Sequence, residues 1–123
     1  INTARVTGPL TGNVSAHGSM SPWTIRNTFF AWGVDFKRGI SVRIPASNVD
    51  LTPTILALKG APVGDACDGR VLLEALRGGP DEEQVPAETR VLTTQANGGT
   101  YMAAIQVSQV GHQRYIDKSW RIR

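Results

Sequence analysis

The stretch NVDLTPTILALKG, residues 48–60, decides how this chain is read. Asp50 is suited to an N-cap, because its carboxylate can accept an amide hydrogen from a first helical turn. With Asp50 as cap, Pro53 falls at the third helical position, where its missing N–H costs no intrahelical bond. Ile55, Leu56 and Leu58 supply an apolar face, and Gly60 stands where a C′ residue ends the helix. A short second helix is predicted over Arg70–Leu76, closed by Gly78-Gly79-Pro80.

On the N-terminal side, residues 1–22 are rich in Gly, Pro, Ser, Thr and Asn with no periodicity, which reads as extended loop. Thr28–Trp32 (TFFAW) is an aromatic run ending at Gly33, the pattern of a strand buried on both faces. Ile40–Ile44 (ISVRI) alternates until Pro45 and fits a short edge strand.

Beyond the helices, residues 80–87 (PDEEQVPA) form an acidic loop expected to be solvated, and the period then changes to two. TRVLTTQ, TYMAAIQVSQV and HQRYIDKSWRI read as strands, the last two forming a hairpin about Gly111. Tyr115 and Trp120 are an odd number apart, so they cannot share a face unless a bulge intervenes. The element order implies an α/β fold, or α+β as an isolated piece, with a terminal antiparallel hairpin.

Bulk properties bound the function. The 123 residues carry one modest core at most, and 41% hydrophobic with 19% charged residues excludes a disordered tail. The net charge of +3 is scattered apart from a thin C-terminal cluster (Arg114, Lys118, Arg121, Arg123), so no nucleic-acid partner is expected. No run of apolar residues is long enough for a membrane span. Cys67 has no second cysteine to pair with and reads as a small buried hydrophobe. The first residue is Ile1, which suggests a processed chain or a piece of a longer one.

The chemistry-bearing side chains are few. His112 adjoins Gly111 at the hairpin tip and reads as an exposed turn residue. His17 is followed by Gly18 and flanked by Ser19 and Ser21; a neutral imidazole of this kind is a common metal ligand. A metal centre needs three or more ligands, and the chain has no HxxxH, HExxH, CxxC or DxD. The carboxylates have structural readings: Asp50 as cap, Asp68 in a turn, Asp81, Glu82 and Glu83 in the acidic loop, Asp117 facing water. Phosphate-cradling glycine motifs and a GxSxG elbow are absent. Ser19 or Ser21 with His17 as a nucleophile–base pair is the weakest of the enzymatic readings, because residues this close in sequence rarely reach that geometry. No catalytic residue is assigned.

Four segments in order carry a resemblance: His17-Gly18, Ala31–Lys37, Val49–Gly60 and Asp68–Leu72. Together they resemble the C-terminal portion of the alkaline phosphatase superfamily, and more narrowly its type I phosphodiesterase/nucleotide pyrophosphatase branch with the sulfatase-like relatives. Residues 1–79 form the family-like region of a single domain, and 80–123 resemble only the variable β-rich tail of bacterial members. The resemblance implies an α/β sandwich with a mixed sheet and two divalent ions, usually zinc, around a threonine or serine nucleophile, or a formylglycine. Such a clamp polarises a phosphoryl or sulfuryl oxygen and lowers the pKa of the attacking hydroxyl.

Only His17 maps onto a ligand position; Asp50 and Asp68 map onto structural ones. The nucleophile and remaining ligands belong to a preceding N-terminal part, expected to be this chain's principal partner, and the isolated piece is expected to be inactive. The residue before His17 is Ala16, where another superfamily metal motif has aspartate; this favours the single-histidine site and leaves open a lineage that has lost activity. Substrates expected of the parent are phosphate or sulfate esters, and its expected location is periplasmic or secreted. The alternative is a non-catalytic binding or oligomerisation module that self-associates through exposed strands.

Overall fold

The computed structural model describes residue 20 and residues 22–122. Among these the arrangement is α+β: a three-stranded antiparallel sheet with short helices and 3-10 turns. The elements are α1 (Pro22–Ile25), α2 (Leu51–Leu58), β1 (Ala87–Ala96), β2 (Tyr101–Val110) and β3 (Gln113–Ile122). The strands lie in the order β1-β2-β3. The chain divides into two compact units. One takes the described residues up to Thr28, Arg90–Val107 and those from Ile116; the other takes Phe29–Thr89 and Ser108–Tyr115.

Helix α2 forms where the sequence places it. Its end is a complete Schellman cap: Gly60 adopts φ 65°, its N–H donates to Ala57 O at 3.0 Å, and Ala61 N–H donates to Leu56 O at 2.9 Å. The start differs from expectation. Asp50 is the N-cap residue, yet its carboxylate makes no cap bond to α2. It closes the preceding 3-10 turn (Asn48–Asp50) by accepting Ser47 N–H at 2.7 Å. The buried face of α2 also differs, with Pro53 and Thr54 inside while Ile55 is 54% exposed. Thr54 sets this rotation, because its hydroxyl donates to Asp50 O at 2.6 Å and accepts Leu72 N–H at 3.0 Å.

The second predicted helix shrinks to a 3-10 turn, Leu73–Ala75. The physical reason lies at its far end: Leu76 is extended (φ −89°, ψ 149°), and Arg77 N–H donates to Asp35 O instead of back to a helical carbonyl. The segment after it pairs with the chain ahead of α2, through an isolated antiparallel bridge Phe36–Leu76. Lys37 N–H donates to Ala75 O at 3.0 Å, and Arg77 N–H to Asp35 O at 2.7 Å.

Neither early strand forms. Thr28–Trp32 forms no ladder, and pairing begins only at Asp35–Lys37. Ile40–Ile44 keeps the alternation that was read only in part, with Val42 and Ile44 half-buried but Ile40 50% exposed, and it has no strand beside it. An apolar pattern selects which side chains turn inward; a strand also needs a neighbouring edge to take its amides.

The hairpin is as expected. Gly111 (φ 59°) and His112 turn β2 into β3, and Gln106 Nε2 donates across the pair to Asp117 Oδ2 at 2.9 Å. Asp117 is therefore held by a neighbour rather than simply solvated. Tyr115 is 6% exposed and Trp120 37%, on opposite faces as their odd spacing requires. Between β1 and β2 the chain turns through Asn97, Gly98 and Gly99, all at positive φ. In the unit that contains α2, the buried hydrophobic side chains are Leu72, Val110 and Tyr115, packed with the equally buried polar Asp50, Thr54, Glu74 and Ser108.

Candidate functional site

The most elaborate polar arrangement among the described residues is built around Asp50, which is fully buried. The 3-10 turn before α2 points its carboxylate inward. Its Oδ2 accepts Ser47 N–H at 2.7 Å, and its Oδ1 accepts Arg70 N–H at 2.9 Å and the Tyr115 hydroxyl at 3.2 Å. Gly69 brings Arg70 within reach: a Cβ there would collide with Val49 O, so only glycine allows the two backbones to approach this closely.

Arg70 then distributes its guanidinium over four partners, Glu74, Tyr115, Pro45 O and, from Nη1 at 3.5 Å, Val71 O. It makes a two-pronged pair with Glu74, with Nη2 to Oε1 at 2.6 Å and Nη1 to Oε2 at 2.9 Å. Its Nε donates to Tyr115 Oη at 2.9 Å, and Nη2 also donates to Pro45 O at 3.0 Å. Parallel guanidinium–carboxylate bonds of this kind are among the strongest side-chain contacts. Burial by itself pushes the Glu74 carboxyl up and the Arg70 guanidinium down. The mutual hydrogen bonds and opposite charge outweigh it, so Glu74 lies below the ordinary glutamate value and Arg70 above the ordinary arginine value. Burial also raises the Tyr115 hydroxyl, to about 12; the Arg70 cation opposes that rise and the Asp50 carboxylate adds to it.

Chemically this cluster is a closed network. Every buried side-chain polar atom among the described residues has a hydrogen-bond partner, so the cluster leaves none of them unpaired. Its role is positional: it fastens the 70–74 segment and Tyr115 of β3 to the entrance of α2. The sequence reading assigned Asp50 a structural role, which holds, but as the hub of this cluster instead of a cap for α2. It missed Arg70, Glu74 and Tyr115 as partners. The available signals were the i, i+4 spacing of Arg70 and Glu74 and the inward face of a strand bearing a tyrosine, which buries well only with its hydroxyl paired.

The remaining candidates fall elsewhere. His17, Gly18, Ser19 and residue 16 lie outside the described residues, as does Ser21. His112 is exposed at the hairpin turn, as read. Cys67 is half-exposed rather than buried. Among the described residues no three His, Cys, Asp or Glu side chains come together as a metal-binding group. The acidic loop is tied down in a way the sequence did not announce. Lys37 Nζ donates to Pro80 O at 2.7 Å and pairs with Asp81 at 3.0 Å, and Glu82 Oε1 accepts Arg43 N–H at 3.2 Å.

The surface feature that stands out is aromatic. Phe29, Phe30, Trp32 and Val34 are 55%, 87%, 97% and 70% exposed. They precede an open cleft of about 440 Å³ between Trp32, Phe36 and the Lys37–Gly39 turn. The backbone of residues 28–32 takes part in no regular ladder and donates or accepts no backbone hydrogen bond in the described set. No helix among the described residues is long and apolar enough to cross a membrane. No protein-family model matches the chain, and neither does any curated protein or solved structure.

Proposed function

We propose that this chain is the C-terminal region of a metal-dependent phosphodiesterase- or nucleotide-pyrophosphatase-like hydrolase of phosphate or sulfate esters. In this reading it belongs to an alkaline-phosphatase-like sandwich whose mixed sheet is completed by a preceding N-terminal part. The observation that carries it is the run Phe29–Trp32, which takes part in no ladder and leaves Phe30 and Trp32 almost wholly exposed. A sequence of this composition is a strand meant for burial on both faces, and in water it is an unfinished surface. The order of the four motif segments supports the same reading, as does the docking of Asp68–Leu72 onto the entrance of α2.

In the parent enzyme His17 would hold one of two zinc ions through an imidazole nitrogen, and those ions would supply Lewis-acid activation of the ester. The described residues contribute no ligand set of their own, so no catalytic step is assigned to them. The 123-residue chain alone should therefore not hydrolyse p-nitrophenyl phosphate, bis-p-nitrophenyl phosphate or p-nitrophenyl sulfate with zinc or manganese present. The deciding experiment is to express the polypeptide together with the residues encoded upstream of Ile1. That product should bind two metal equivalents and hydrolyse one of these esters, and His17→Ala should lower both. Turnover by the 123-residue chain alone, or a longer product indifferent to His17→Ala, refutes the reading.

The second reading, a non-catalytic binding or oligomerisation module, draws on the edge strand β1, whose ten residues are all exposed. Light scattering separates the two. A stable, well-folded dimer without an upstream partner favours the module.

A further inference from the structure

Of the chain's five asparagines, only Asn97 is followed by glycine; Thr3, Val14, Thr28 and Val49 follow the others. The turn that carries it, between β1 and β2, lies wholly within one of the two compact units, and every residue from Ala96 to Thr100 is exposed. Asn97 stands at φ 51°, the one non-glycine residue at positive φ among those described, and Gly98 and Gly99 follow at 63° and 90°. Beyond the turn itself, nothing lies within 4 Å of where a Gly98 Cβ would stand, so the Asn97–Gly98 peptide has room to rotate. The turn is held through the carbonyl of that same peptide. Asn97 O accepts Thr100 N–H at 3.3 Å and the Thr100 hydroxyl at 2.8 Å, and the side-chain amide of Asn97 takes part in neither bond.

We propose that Asn97 is a site of self-promoted deamidation, in which the Gly98 nitrogen attacks the carbonyl carbon of the Asn97 side chain. Hydroxide takes the proton of Gly98 N–H, and the negative charge spreads onto Asn97 O, where the two Thr100 donors stabilise it. The nitrogen then bonds to Cγ, the Cγ–Nδ2 bond breaks, and Nδ2 leaves as ammonia with a proton from water, closing a succinimide ring. Water opens that ring at either carbonyl. One opening gives aspartate; the other gives isoaspartate, with the former asparagine Cβ now part of the main chain. Nothing is oxidised or reduced. Glycine in the attacking position matters because any side chain there would crowd the ring closure. Each product adds a negative charge at the turn, and isoaspartate also lengthens the connection by one carbon. Among the described residues β1 has β2 alone as strand neighbour, so the lengthened turn loosens what holds this edge. The inference goes beyond the hydrolase reading and does not depend on it.

The test incubates the folded 123-residue chain in mildly alkaline buffer and follows it by peptide mass spectrometry, which reads a gain of one mass unit and separates the isoaspartyl form. Asn97 should convert at least about tenfold faster than Asn27 or Asn48, with isoaspartate among the products. Thr100→Val loses the hydroxyl and should slow the conversion about threefold, the scale of one exposed hydrogen bond. Thr100→Ser should restore the rate, with far-UV circular dichroism unchanged in both variants. Equal conversion at the other asparagines overturns the proposal, as does a Thr100→Val rate equal to that of the unaltered chain. It is also overturned if Asn97 stays intact in the folded chain while the urea-unfolded chain converts, because the turn would then be holding the two groups apart.

Discussion

Replacing Asp50 with asparagine keeps the volume of the side chain and changes its charge and its hydrogen bonding. The carboxylate accepts three bonds, from Ser47 N–H, Arg70 N–H and the Tyr115 hydroxyl. An amide has one accepting atom. Its best orientation puts the oxygen at the Oδ1 position, keeping Arg70 and Tyr115, and turns the NH₂ toward Ser47 N–H. One charge-assisted bond is lost, and two donors face one another beside a residue with no solvent exposure. The lost bond costs about 1.5–3 kcal/mol and the orphaned donor about another 1–3. With partial relaxation the net destabilisation is about 3 kcal/mol, a large share of the roughly 5–15 kcal/mol that holds a small domain together. At a urea dependence of about 1–1.5 kcal/mol per molar, the midpoint should fall by about 2 M. Urea titration followed by far-UV circular dichroism reads it directly. A loss under about 1 kcal/mol would mean that the carboxylate is not the hub of the network, and the account of unit packing given above would be wrong.

The other expectations follow from the same contacts. Tyr115→Phe removes a hydroxyl that bridges Arg70 and Asp50 and should cost about 1–3 kcal/mol in the same titration; a neutral result would show the bridge to be idle. Because the folded state holds Glu74 below the ordinary carboxyl value of 4.5, its contribution is present above that pH and is lost as acid takes the pH down through the folded-state value. Stability measured against pH should therefore lose this acid limb in Glu74→Gln. At the alkaline end the sign reverses. The Tyr115 hydroxyl is raised from 10.0 to about 12, so stability is retained below pH 10 and declines towards 12, a decline that Tyr115→Phe should lack. Gly69→Ala should destabilise by more than an ordinary surface change, since the added methyl meets Val49 O; unchanged melting would contradict the close approach. Phe30→Ser with Trp32→Ser should leave the urea midpoint of the 123-residue chain within about 0.5 kcal/mol while lowering hydrophobic-dye binding, and a loss of 2 kcal/mol or more would place these rings in its own core.

Local signals were legible wherever the physics is local. Gly60 ends α2 because a residue at positive φ is needed there, and Gly111 turns the hairpin for the same reason. The odd spacing of Tyr115 and Trp120 fixed their opposite faces, while the alternation in Ile40–Ile44 held for Val42 and Ile44 and failed for the exposed Ile40. The strands that failed, Thr28–Trp32 and Ile40–Ile44, failed for a reason no single segment can disclose: a ladder belongs to two strands at once.

The site shows the same division. The sequence marked Asp50 as a polar residue with a structural duty and His17 as the imidazole worth asking about, the latter beyond the described residues. It could not say that the carboxylate of Asp50 would turn away from the helix it begins. Arg70 lies 20 residues further along the chain and Tyr115 65, and nothing in their spacing announces that both will meet one buried oxygen. Sequence by itself determined where the chain turns, caps and alternates, because those choices depend on a residue and its near neighbours. The tertiary structure alone decided which amides and carboxylates satisfy one another, because burying an ionised group is tolerable only where distant segments bring it partners.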